Sequence, residues 1–400
     1  MSDVPRLRLD ERSALPTDTD RATLIGRAWV PGPLAGPSPV AISKGRVFDL
    51  SQVVPTCADL TNSENPAALT QAAVAGGRAT PIGTVVDMLA NSAFDRRDPN
   101  RPYFLSPVDL HAVRACGVTF IASMLERVIE EQAKGDPAGA ESIRQSLTRE
   151  IGGELRAIKP GSPGAMRVKD SLVKRGLWSQ YLEVGIGPDA EVFNKAQPMS
   201  AVGTGAEIGV LAASSWNNPE PEVVLVVNHA GKVVGATLGN DVNLRDYEGR
   251  SALLLGRAKD NNGSCAIGPF IRLLDRGFTV DDLRRTQMEV EVTGTDGFRV
   301  EGKYSLAQIS RDPLDLAAQA LNRTHQYPDG LVLFMGTAFA PVQDRGQPGH
   351  GFTHKLGDVV TVRSPSLGAL SNRVNHCDKI PPWSFGVGEL MRNLSARGLI

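Results

Sequence analysis

Cysteine is scarce in this 400-residue chain: Cys57, Cys116, Cys265 and Cys377 stand far apart, with no C-x-x-C pair. That argues against a disulfide framework and against a cysteine zinc site. Isolated cysteines in a chain of this size serve as small buried hydrophobes; Cys265, in a loop near a candidate site, is the one whose role stays open. Charge of one sign is missing too. The 43 basic and 44 acidic side chains leave a net charge of −1, which gives no pull toward nucleic acid or an acidic membrane surface. No apolar signal segment opens the chain, and no run of roughly 18 apolar residues exists to span a bilayer. A cytoplasmic location is the expectation.

What is present is material for a core. Hydrophobic residues make up 41% of the chain, and the length suits two domains or one large domain with an appendage. Short β-like runs at Thr23–Val30 and Val40–Leu50, with a Lys44-Gly45 turn, precede helical stretches at Pro66–Ala75 and Val85–Asn91. The turn-rich segment Arg96–Pro102 marks a boundary, giving domains 1–105 and 106–400. Leu125–Glu131, Ala140–Leu155 and Ala165–Arg175 read as a helical insert. After residue 180, β-branched runs recur between Gly, Pro and Asn turns: Val223–Val227, Val233–Thr237, Met288–Val292, Leu331–Phe334 and Val359–Val362. One helix, Leu314–Leu321, interrupts them. The predicted class is α+β: a small N-terminal α/β domain, then a β-rich roll, barrel or sandwich.

The chemistry concentrates in three acidic or cationic stretches. Glu220 and Glu222 flank Pro221 at the start of the apolar run Val223–Val227. In an extended chain residues i and i+2 share a face, and two carboxylates held together repel unless a cation or proton lies between them. Oxygen donors of this kind favour Mg²⁺, Ca²⁺ or Mn²⁺. Alone the pair is weak, since a chain with 44 acids holds about five acidic-x-acidic pairs by chance. Two later stretches strengthen it: Asn240-Asp241-Val242-Asn243-Leu244-Arg245-Asp246, and Lys259 ahead of Gly268-Pro269.

Together these resemble the fumarylacetoacetate hydrolase superfamily, and the similarity extends over roughly residues 106–400, through Met335-Gly336-Thr337, Lys355–Val360 and Leu367–Asn372. The resemblance implies that Glu220, Glu222 and Asp241 hold a divalent cation, Mg²⁺ first and Mn²⁺ or Ca²⁺ as alternatives. It makes Lys259 an active-site cation. It implies a β-roll or barrel catalytic fold and a homodimer or homotetramer. One departure narrows the chemistry. Where the family's hydrolases carry Asn-Tyr-x-x-His-x-x-Glu, this chain has Thr119, Phe120, Ser123 and Glu126. A serine is no base near neutral pH without help, so C–C hydrolysis of an acylpyruvate-type 2,4-diketo acid becomes the second reading.

The pattern is closer to the superfamily's 2-keto-3-deoxy-pentonate dehydratases, which make 2,5-dioxopentanoate in non-phosphorylating pentose catabolism. The expected substrate is a small 2-keto acid chelating the metal. Glu126 is the candidate acid/base, and Lys259 stabilises an enolate or acts as a base whose pKa neighbouring cations lower. Thr337 completes the catalytic set; Thr119, Ser123 and Glu248 are candidate substrate contacts. Arg311 is assigned to a helix-start ion pair, and Arg245 and Asp246 to bracing the metal loop. His350 and His354, four apart, lie in a glycine-broken loop, which argues against zinc.

Overall fold

In the computed structural model, residues 7 and 9–400 are described, apart from 135, 138–139, 146–157, 177, 340 and 347. Among them the dominant element is an eleven-stranded sheet. Its centre is the hairpin of β10 (Pro221–Val227) and β11 (Val233–Asp241). β10 pairs on its other side with β16 (Leu331–Phe334), which runs parallel to β6 (Ala112–Gly117); β7 (Glu191–Ala196) closes that edge. On the far side β11 pairs with β13 (Cys265–Leu273), and β13 with β1 (Leu24–Val30). From β1 the sheet continues through β2 (Gly36–Ser43) and β3 (Arg46–Asp49) to β4 (Thr80–Thr84), with β5 (Tyr103–Leu105) paired to β1. The strands before residue 105 thus join the sheet that carries the later ones, and the expected boundary falls inside one continuous sheet. The sheet is open at both ends; the expected barrel does not form.

β10 explains the layering. All seven of its residues are buried, as expected for an apolar run covered on both faces. Val223, Leu225 and Val227 pack toward Val290, Val292, Val360, Val362 and Leu370 of a second, five-stranded sheet. Val224 and Val226 pack in a separate cluster with Leu60, Ala67 and Ala73, from the helices Cys57–Thr61 and Pro66–Ala75. Burying each such Val or Leu is worth roughly 1.5–3 kcal/mol, so this strand is held from both sides.

The helices at Pro66–Ala75 and Val85–Ser92 and the strand at Leu331–Phe334 lie where the sequence pattern puts them. The expected helix at Leu125–Glu131 extends over Ile121–Gln132. The second half of the expected Ala140–Leu155 helix lies outside the described residues. No helix among the described residues is long and apolar enough to cross a membrane.

Candidate metal centre and its pocket

The site forms at one end of the central strands because an antiparallel hairpin sets the start of one strand beside the end of the other. Glu220 and Glu222 open β10 and Asp241 closes β11, and the Asp241 amide donates to the Glu220 carbonyl at 2.9 Å. All three side chains are buried, and one oxygen from each lies within 4.8 Å of the others. The same end of β16 supplies Gly336 and Thr337, while β6 supplies Cys116 and Gly117. Thr119 locks the two together, its hydroxyl donating to the Met335 carbonyl at 2.6 Å.

Cations surround the triad. Lys259 Nζ lies 2.5 Å from Glu220 Oε2 and 3.1 Å from Asp241 Oδ2. Lys195, fully buried on β7, lies 2.9 Å from Asp241 Oδ1. Arg127 forms ion pairs with Glu220, with Glu130 at 2.7 Å and with Glu248 at 2.7 Å. It reaches them from Ile121–Gln132, where Ser123, Arg127 and Glu130 fall on one helical face. These charges set the titration of the cluster. Burial works against the Asp241 carboxylate, but Lys195 and Lys259 outweigh it and hold Asp241 below the usual range. Glu222 has a Gly336 amide at 2.6 Å. Burial first, and then Asp241 and Glu220, push it well above the usual carboxylate range. Burial raises Glu248 to about 7, against the pull of Arg127 and Lys259. For Lys259 the surrounding carboxylates overcome burial and raise its pKa. That is the opposite direction from the expected lowering, and its cause is the pair of carboxylates Asp241 and Glu220.

Glu220, Glu222, Asp241, Lys259, Glu248, Ser123 and Thr337 all line one cavity of about 20 Å³, room for little more than one ion or water. Glu126 and Thr119 do not line it. The Glu126 carboxylate is bonded by Arg144 at 2.7 and 2.8 Å and by Arg245 at 3.0 Å. Arg245 and Asp246 do brace the surroundings: Arg245 also bonds Glu130 at 2.6 Å, and Asp246 accepts from Ser214 and Ser215. Arg311 makes no helix-start ion pair; its guanidinium caps the carbonyls of Val184, Gly187 and Pro188. Cys265 is buried, and burial pushes its thiol up to about 12, the pattern of a structural cysteine.

Sequence reading missed Lys195, Arg127 and Glu191. Glu191, Phe193 and Lys195 alternate along β7 and so share a face; Phe193 lines the pocket and lies under Lys259. The alternation was the available signal. Glu191 packs behind the lining residue Gly117 and fits there because residue 117 is glycine: a Cβ would stand 1.9 Å from Glu191 Oε2. Burial raises the Glu191 carboxyl too.

Three buried carboxylates with hard oxygen donors suit a divalent cation, and Glu222, with the highest demand for a positive partner, is the group such an ion relieves. Residues 180–375 match the family model described as fumarylacetoacetate (FAA) hydrolase C-terminal. The chain is 32% identical over 193 residues to a 2-dehydro-3-deoxy-D-arabinonate dehydratase of Saccharolobus solfataricus. It is 31% identical over 194 residues to a probable 2-keto-3-deoxyxylonate dehydratase of Haloferax volcanii. Each match takes in 48% of this chain, and it spans 60% and 63%, respectively, of those relatives' own lengths. A solved 2-keto-3-deoxy-D-arabinonate dehydratase, complexed with magnesium and 2,5-dioxopentanoate, superposes with a TM-score of 0.59. That likeness covers 88% of this chain and 99% of the other at 20% identity, and is a likeness of fold.

Proposed function

We propose that this chain is a Mg²⁺-dependent hydro-lyase that converts a 2-keto-3-deoxy-pentonate to 2,5-dioxopentanoate in the cytoplasm, within pentose catabolism. One observation favours dehydration over C–C hydrolysis. No histidine is among the described residues lining the pocket, and Glu126 is bonded to two arginines outside it. A His–Glu pair to activate water is therefore missing.

Glu220, Glu222 and Asp241 would hold the metal ion, which supplies a Lewis acid for the 2-keto group when bound. Lys259 supplies a fixed positive charge for the oxygen that becomes negative as the C3 proton leaves. The C4 hydroxyl departs as water; moving a proton from C5 to C3 then leaves a C4=C5 enol, whose hydroxyl proton passes to C4 to give the C5 aldehyde. Glu248 lines the pocket with a pKa of about 7, matched to moving protons near neutrality. It takes the acid/base part first assigned to Glu126. Thr337 and Ser123 carry hydroxyls on the wall, and the cavity of about 20 Å³ has to widen for a substrate to reach them. We also expect a homodimer or homotetramer, which light scattering on the purified protein checks.

The test is incubation with MgCl₂ and 2-keto-3-deoxy-D-xylonate, coupled to an α-ketoglutarate-semialdehyde dehydrogenase. NADH formation that vanishes with EDTA and in Glu222→Gln is the expected result. No NADH, with pyruvate released from acylpyruvates instead, would replace this reading with the hydrolase one.

A further inference from the structure

A second cavity, of about 250 Å³, lies between β5, the segment Met199–Ala206 and the C-terminal stretch Pro382–Phe385. Among the described residues two arginines line it and no carboxylate does. Arg27 is 5% exposed; it donates from Nε to the Ser106 carbonyl at 3.0 Å and from Nη1 toward the Met199 sulfur at 3.1 Å. A thioether is a weak acceptor, so this guanidinium is poorly satisfied. Asp109 is the acid nearest behind it in charge terms, but its oxygens accept from the Cys57, Ala58 and Leu110 amides. Arg97 stacks over the Tyr103 ring at 4.4 Å, and its buried Nε has no partner. The Ser106 hydroxyl, on a residue 2% exposed, has none either. Buried polar groups are normally bonded; here donors on three lining residues lack acceptors or have poor ones.

The walls are flat and apolar. Trp29 stacks with Tyr103 at 6.4 Å and meets Phe385 edge-on at 5.7 Å. Trp383, 46% exposed, stands at the mouth. Net positive charge, unsatisfied donors and aromatic faces together define a ligand. We propose that this cavity binds a small organic carboxylate with a flat, unsaturated body, of benzoate size. Its volume is just below the roughly 300–1,000 Å³ of sites for drug-sized ligands. The carboxylate accepts from the guanidinium groups of Arg27 and Arg97, and the ring lies against Trp29 and Tyr103. This site is separate from the metal pocket: the two have no lining residue in common.

Isothermal titration of the full-length protein with benzoate tests it, with benzamide as the neutral isostere. Benzoate should bind, and benzamide at least about tenfold more weakly, because a charge-assisted hydrogen bond is lost. Trp383→Ala, a change at an exposed position, and Arg97→Gln should each weaken benzoate similarly, while Glu222→Gln should leave it unchanged. No benzoate binding, equal binding of benzamide, or binding lost in Glu222→Gln but kept in Trp383→Ala would overturn the proposal. The last outcome would place the carboxylate at the metal pocket instead.

Discussion

Replacing Lys195 by methionine isolates the charge that holds Asp241. The Lys195 side chain is fully buried, 2.9 Å from Asp241 Oδ1, and it donates to the Lys259 carbonyl. Methionine keeps most of the volume, so packing changes little. Breaking a buried ion pair by removing one partner costs about 3–5 kcal/mol, because the other charge is left uncompensated. Lys259 still faces Asp241 at 3.1 Å, which puts the expected loss at the lower end, about 3 kcal/mol. In EDTA, urea unfolding should show that loss. A divalent cation would return the missing charge, and it would bind the variant more tightly because Asp241 has one fewer competing cation. Ligand binding stabilises by about 2.7 kcal/mol at a hundredfold excess over Kd, and the variant's tighter Kd enlarges its share. The gap between wild type and variant should therefore shrink to about 1 kcal/mol or less in saturating MgCl₂. An equal gap with EDTA and with MgCl₂ would refute the reasoning and leave Lys195 a packing residue.

The remaining predictions concern Glu222 and Gly117. Glu222 has its pKa raised by burial and by its acidic neighbours, so its favourable, protonated state is present below the ordinary glutamate range and is lost as pH rises through the raised value. Metal-free Glu222→Gln should accordingly be more stable than wild type, by a margin that grows with pH, while its melting temperature stops responding to MgCl₂; thermal scans across pH in EDTA read both. In the wild type a proton competes with the metal at Glu222, so Mg²⁺ affinity by calorimetry should fall as pH is lowered. Gly117→Ala puts a methyl 1.9 Å from Glu191 Oε2 and should cost about 1–3 kcal/mol by overpacking. Adding Glu191→Ala should recover most of that loss in a urea titration, and failure to recover would place the strain elsewhere.

Much of this was legible in the sequence because it is local. An apolar run with two acids at its head reads as a buried strand carrying a site, and Pro66–Ala75 carries its own helix signals: Pro66 at the first turn and Asn65 as the cap. What stayed hidden depends on pairing across long separations. β1 meets β13 some 250 residues away, Leu24 opposite Arg272, and nothing near either strand announces that partner. The open sheet and its continuity across residue 105 follow from that one pairing. The position of Glu126 was hidden for a related reason: helical spacing puts it near Ser123, but the neighbouring Arg127 is the residue that lines the pocket, and Glu126 is bonded to two arginines.

The missed residues change how the metal centre is understood. From the triad alone, three carboxylates wait for a cation. With Arg127 and Lys259 on Glu220, and Lys195 and Lys259 on Asp241, two of the three are already neutralised by the chain itself. Glu222 alone has a backbone amide as its bonded partner. Buried like-charged carboxyls cannot all ionise without compensation, so the unmet demand falls on this one group. A proton meets it below its raised pKa, and a divalent cation would meet it above. The surrounding cations let the protein fold around the cluster without a metal ion; the single uncompensated carboxylate is what would make the site responsive to one.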